Sequence, residues 1–259
     1  MRLLAVVHVF YRELWPELLS CVRNLGADCD VVVTYVDEAA VAQARRDLPA
    51  ARFVLCENRG FDVWPFLSVL READLVRYDV VVKLHTKRDI DFGFDFKFNG
   101  CHFNGSAWRE RLLSFCRTPD AWRRTVRQLA RADVGMVAER HVIVGRRHVP
   151  WAHAERAFDL AHAELPQLGG VCGVSSSRGR YVAGTMFAAK AEPLQLLLRR
   201  GFTADLFPVS AHVRPDDCQY AHVVERLMGL AVGACGMRIA AFNGRFPLGR
   251  LFRICLGRS

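Results

Sequence analysis

None of the nine cysteines stands in a CxxC pair; they are scattered at positions 21, 29, 56, 101, 116, 172, 218, 235 and 255. Without paired spacing a structural zinc site is not expected. An odd count with no export signal favours reduced thiols and a cytoplasmic setting. No stretch reaches the ~18–20 uncharged apolar residues that a membrane span needs. The opening residues, MRLLAVVHVFYREL, turn polar early and are followed by no small-residue cleavage site, so they read as a first strand and not as a signal peptide. Internal repeats and linker-like runs are also missing, which points to one continuous domain.

Half of the residues are hydrophobic and a quarter charged, enough for a real core. Net charge is +9, from 36 basic and 27 acidic residues, with Arg supplying most of the excess. Such a balance suits phosphorylated ligands, an anionic membrane or nucleic acid. The basic residues are spread along the chain with no aromatic-interleaved stripe, so nucleic acid is not an expected partner.

The first part of the chain alternates strongly. Strands are expected at 3–10, 29–36, 51–56 and 78–84, and helices at 11–25, 37–48 and 63–75. This β-α-β-α-β-α-β order predicts a parallel, Rossmann-type sheet with right-handed crossovers and flanking helices, hence an α/β fold. The fourth strand is the informative one. YDVVVKLHTKRDID (78–91) is a buried apolar run that ends abruptly in titratable groups. Alternate side chains of a strand share a face, which predicts that Lys83, His85 and Lys87 point one way. Charged groups at the carboxyl end of a buried strand mark a ligand site in an open α/β sheet.

Asn58-Arg59-Gly60 lies between a strand and a helix, where free backbone N–H groups favour an anion. Asp62 is placed either to cap that helix or to contact the ligand. Asp89-Ile90-Asp91 is an Asp-x-Asp pair of hard oxygen ligands suited to Mg²⁺ or Mn²⁺, although its neighbours are basic. Beyond it, 92–106 reads as a hairpin or loop, 134–138 as a strand, 169–180 as a Gly/Ser loop and 181–189 as one strand. A helix headed by Pro215-Asp216-Asp217 follows, then a last strand at 237–242. In the strand 181–189, Gly184 and Thr185 permit close backbone approach, or mark a bulge. The tail at 243–259 carries Arg245, Arg250, Arg253 and Arg258, no acid, and an apolar stripe. Such a segment either packs on the domain or lies in a membrane interface.

Three passages, HVFYRELWPELL (8–19), ENRGFDVWPFLSVL with YDVVVKLHTKRD (57–89) and YVAGTMFAAKAEPLQLL (181–197), resemble the rhamnan synthesis protein F family of bacterial polysaccharide glycosyltransferases. AHVVERLMGL (221–230) is similar to that family's closing helix. The resemblance implies a GT-A-like fold in a single domain. Residues 1–91 would be the nucleotide-sugar-binding half, 92–242 the acceptor half and 243–259 a basic amphipathic tail. It also implies transfer of a sugar, often rhamnose, to a lipid-linked surface polysaccharide or O-antigen intermediate, with dTDP-rhamnose heading the candidate donors. On that basis Asn58, Arg59, Gly60, Asp62, Lys83, His85 and Lys87 are candidate donor contacts, and His85 is also a candidate catalytic residue that stabilises the departing diphosphate. Gly184, Thr185 and Glu225 fall on the acceptor side, and Asp89 and Asp91 are candidate metal ligands. A transferase needs a carboxylate to take the acceptor proton. Asp217 is the first choice and Asp216 the second, while Glu225 is expected to pair with a basic neighbour. The expected location is the cytoplasm, peripherally at the inner face of the membrane. The alternative to an enzyme is a non-catalytic nucleotide- or polyanion-binding module.

Overall fold

The computed structural model describes residues 1–89, 97–102, 105–145, 152–168, 179–209 and 218–243. The chain opens with β1 (Leu3–Val9), α1 (Trp15–Asn24), β2 (Cys29–Tyr35), α2 (Glu38–Asp47), β3 (Arg52–Leu55), α3 (Val63–Glu72) and β4 (Val80–His85). Next come β5 (Lys97–Phe98), β6 (Cys101–His102), α4 (Ala107–Leu113), α5 (Pro119–Leu129), β7 (Val134–Ala138) and β8 (Ile143–Gly145). The order closes with α6 (Ala152–Glu164), β9 (Arg180–Val182), β10 (Phe187–Lys190), α7 (Ala191–Leu198), α8 (Tyr220–Ala234) and β11 (Arg238–Ala241).

Seven strands form one sheet in the order β11-β7-β10-β4-β1-β2-β3. β4, β1, β2 and β3 are mutually parallel, as the β-α alternation predicts. β10 runs antiparallel to both β4 and β7, and β11 is again parallel to β7. The fold is therefore α/β with a mixed, mostly parallel sheet flanked by helices. Every residue of β1 and of β4 is buried, because helices cover both faces of these central strands. Near-continuous apolar sequence is the consequence, and it is why the polar His8, Lys83 and His85 stand out within it.

Two expectations from sequence fail. The run 181–189 is two strands in two sheets: β9 pairs with β8 in a separate two-stranded sheet, and β10 enters the main sheet. Gly184 (φ +79°) and Thr185 (φ +53°) both adopt the left-handed conformation, which turns the chain out of an extended path. A Cβ on Gly184 would also lie 2.9 Å from Trp108 and Leu112 of α4, so the close approach there is by a packed helix. The second concerns the last helix. It starts at Tyr220, capped by Gln219, whose side chain and that of His222 make a reciprocal capping box. No acid stands in its first turn. Asp216 and Asp217, expected to head that helix, lie outside the described residues, as do Asp91 and the tail from 244.

α8 packs hard onto β9. A Cβ on Gly229 would sit 2.1 Å from the Arg180 carbonyl oxygen and 2.6 Å from the Tyr181 Cα. Backbone cannot yield cheaply, so Gly229→Ala is expected to lower stability by at least ~1–3 kcal/mol, the usual range for overpacking. An unchanged urea midpoint would show that α8 does not seat as described.

Candidate functional site

The carboxyl ends of β4, β1 and β2 place His85, His8 and Thr34 side by side in one row. Lys83 lies two residues before His85 and shares its face of β4, as alternation predicts. β4 stops at His85, so Lys87 lies past the strand end and is only partly buried. Thr86 fastens the end of β4 to that of β1: its Oγ1 accepts hydrogen bonds from the backbone N–H groups of Phe10 (2.9 Å) and Tyr11 (3.0 Å).

Asp62 reaches this row from the loop before α3. Gly60 (φ +55°) and Phe61 (φ +54°) make the tight turn that delivers it. Asp62 sits at the N-cap position of α3, yet its carboxylate makes no capping hydrogen bond. It ion-pairs with Lys83, accepts from the Thr185 hydroxyl and lies 3.4 Å from His85 Nδ1. Lys83 Nζ also donates to Thr185 Oγ1 at 2.8 Å, which closes a three-membered cluster. Thr185, expected on the acceptor side, thus belongs to the Asp62–Lys83 group. Lys83 is 1% exposed and its ammonium is ion-paired with Asp62.

Burial alone would raise the Asp62 pKa, but neighbouring positive charge and two hydrogen bonds hold it far below the ordinary carboxylate range. Burial pulls Lys83 below its usual value, with Asp62 opposing. His85 is pushed well below 6.5 by burial, more than Asp62 holds it up. Its ring is therefore neutral at neutral pH, and Lys83 is the ammonium paired with Asp62. Neither ring nitrogen of His85 has a hydrogen-bond partner among the described residues, although the side chain is only 3% exposed. Buried polar atoms are rarely left this way, and a catalytic role or an ordered water or ion is among the reasons.

His8 and Thr34 were not legible as site residues in the sequence. His8 Nδ1 lies 3.0 Å from Thr34 Oγ1, and burial lowers the His8 pKa from 6.5 to about 4, with Asp62 opposing that shift and Lys83 adding to it. The signal available was its place near the end of β1, the same strand-end logic applied to β4. The unfolded chain protonates near 6.5 and the folded one near 4, so folding stability is lost as pH falls between those values. At about 1.4 kcal/mol per unit, His8 alone is expected to remove roughly 3 kcal/mol by pH 4. A series of urea midpoints from pH 7 to 4 checks this, and His8→Gln should flatten the slope. A wild-type midpoint that does not move over that range contradicts it.

The other candidates fall around this cluster. Arg59 pairs with Glu57 and donates to the Phe207 carbonyl at 3.0 Å, while its backbone bridges Val209. A Cβ on Gly60 would strike Phe207 at 2.5 Å. Arg59 and Gly60 therefore strap the loop to the 207–209 segment, with Asn58 half-buried beside them. Arg109 of α4 holds the segment after β4. It pairs with Asp89, bonds Glu17 at 2.6 Å and donates to the Lys87 carbonyl at 3.2 Å. The carboxylate that a cation would need at Asp89 is thus engaged by a guanidinium. The described residues hold no group of three potential metal ligands. Glu225 pairs with Arg226 as expected, and it also accepts from the Gly184 N–H at 2.7 Å, bracing the turn that carries Thr185.

Residues 1–237 match the family described as rhamnan synthesis protein F. The chain belongs to the rhamnan synthesis protein F family. The family's description is of rhamnan synthesis. The match takes in the whole Asp62–Lys83–His85–Thr185 cluster and ends before the basic tail. The chain is also similar to WxcX of Xanthomonas campestris pv. campestris strain B100, described as uncharacterised, at 26% identity over 239 residues. WxcX from a second strain of that pathovar is 25% identical over 239 residues. These matches cover 90% of this chain but only 32% of each relative, so the chain spans about a third of their length. Among the described residues no helix is long and apolar enough to cross a membrane.

Proposed function

We propose that the protein is a glycosyltransferase of the GT-A type, moving a sugar from a nucleotide donor to a lipid-linked surface-polysaccharide or O-antigen intermediate. The observation that carries this reading is His85: a buried, neutral imidazole whose ring nitrogens have no hydrogen-bond partner among the described residues, beside the Asp62–Lys83 ion pair at the carboxyl edge of a parallel sheet. The sheet supports it too, since four parallel strands of a Rossmann-like half join the second half through the antiparallel β10. Negative charge develops on the departing diphosphate, and a preorganised N–H donor stabilises it. His85 supplies that donor. Among the described residues Lys87, just past the strand, is the nearby ammonium without an anionic partner, and it adds positive charge. Asp62 stands beside the imidazole, and burial together with the Lys83 charge keeps the ring neutral.

The proton of the acceptor hydroxyl passes to a carboxylate, Asp217 first and Asp216 second. Glu225 is left out because both its oxygens are engaged. If Mg²⁺ or Mn²⁺ takes part, Asp89 and Asp91 are the residues to hold it, and the ion would neutralise diphosphate charge. Rhamnose, with dTDP-rhamnose as donor, is the first sugar to try. The cytoplasmic face of the membrane is the proposed setting, with the tail from 243 as a peripheral contact.

The test is release of nucleoside diphosphate across a panel of nucleotide sugars with a lipid-linked acceptor. Turnover with at least one donor is expected. Nucleotide binding without turnover on any donor would instead assign the non-catalytic binding module.

A further inference from the structure

A basic cavity opens beside the β8–β9 pair and shares no residue with the His85 cluster. Its volume is about 330 Å³, and it is lined by Asn99, Gly100, Arg140, His141, Ile143 and Arg180. Four elements wall it: the turn between β5 and β6, the 3₁₀ turn Arg140–Val142, β8 and β9. Its geometry is fixed by specific bonds. Asn99 and Gly100 both have positive φ (46° and 80°), the signature of a tight hairpin turn, and Asn99 Nδ2 donates to the His141 carbonyl at 2.8 Å. Arg180 is held opposite Gly145 in the β8–β9 ladder.

The charges in this cavity are unbalanced. The adjacent acid, Glu139, is 5% exposed and turned inward. It accepts from the His141 N–H at 2.6 Å and lies 2.7 Å from His141 Nδ1 and 3.8 Å from Arg111. Among the described residues, neither Arg140 nor Arg180 has an acidic partner. Two planar guanidinium groups facing one cavity, with a side-chain amide beside them, match the oxygens of a phosphate or diphosphate. The volume suits a small charged group and not a whole nucleotide sugar.

We propose that this cavity is an anion subsite that takes the diphosphate of the lipid-linked acceptor, held by Arg140 and Arg180; the acceptor assignment rests on the glycosyl-transfer reading. The chain supports the placement. From Arg180 it runs five residues to Thr185 of the His85 cluster, a Cα separation of at most roughly 17 Å. That bound leaves both places within reach of an acceptor sugar joined to its diphosphate, so the lipid diphosphate rests here while the sugar reaches the strand edge.

Binding of inorganic pyrophosphate, a short-chain prenyl diphosphate and dTDP is measured by calorimetry on the wild type and on Arg140→Gln/Arg180→Gln. Both arginines are exposed, so the double variant is expected to melt as the wild type does; the Lys pair at the same positions serves if it does not. The expected result is prenyl diphosphate binding at least tenfold weaker in the Gln pair, with dTDP affinity unchanged. Unchanged prenyl diphosphate affinity overturns the subsite. Equal wild-type affinity for pyrophosphate and prenyl diphosphate overturns the lipid assignment, and a parallel loss of dTDP binding assigns the cavity to the donor. None of these readings needs turnover, so failure of the transferase reading is seen separately, in the nucleoside diphosphate release assay.

Discussion

Lys83→Met is expected to destabilise the fold by ~3–5 kcal/mol, because it strips a buried carboxylate of its counter-charge. Lys83 is 1% and Asp62 17% exposed, so water screens the pair weakly. What is left around Asp62 is the Thr185 hydroxyl and an imidazole that burial keeps neutral. In a chain of this size that loss corresponds to a fall in Tm of roughly 6–20 °C. The pair itself is not a large net source of stability, since two charges had to leave water to form it. The double variant Lys83→Met/Asp62→Leu should therefore recover most of the loss while remaining inactive. Thermal melts of the three proteins check both statements. A Lys83→Met protein that melts with the wild type would mean that Lys83 is solvated and free, as an anion-binding lysine at a strand end would be.

His85→Ala is expected to act in the opposite way: turnover falls ~10²–10³-fold, the usual cost of one preorganised charge-stabilising donor, while stability holds or rises. The stability half follows from the unpartnered ring. Removing it leaves a small cavity but relieves a buried polar group of unmet hydrogen bonds. Those terms oppose each other, whereas a structural histidine would lose a bonded partner and destabilise the protein. Donor release kinetics measured beside Tm separate the two. Wild-type turnover with a lowered Tm would make His85 a core residue and move the chemistry elsewhere.

The contrast between Lys83 and His85 marks how far the sequence could be read. Both stood out as polar residues ending a β-branched run, and alternation put them on one face, as the structure has them. Nothing local told them apart. The residue that does so, Asp62, lies 21 positions from Lys83, and Thr185 lies 102 positions from it. Such pairings come from tertiary packing and leave no periodic signal. The parallel half was legible because apolar runs and amphipathic helices alternate there cleanly. The 181–189 run was not, because its composition is that of a strand throughout. Only the sign of φ at Gly184 and Thr185 divides it, and that depends on α4 packing against the turn. His8 escaped notice because a single histidine in a buried strand reads as core until its neighbours across the sheet are known.

The proposed function requires the His85 ring to meet the ligand. The most direct measurement is the ¹⁵N NMR signal of its Nε2, assigned by loss in His85→Gln, during titration with nucleoside diphosphates. A shift of that resonance that saturates with dTDP or another nucleotide, with the ring staying neutral at pH 7, is the expected result. Nucleotide binding that leaves the His85 resonances unmoved would contradict it.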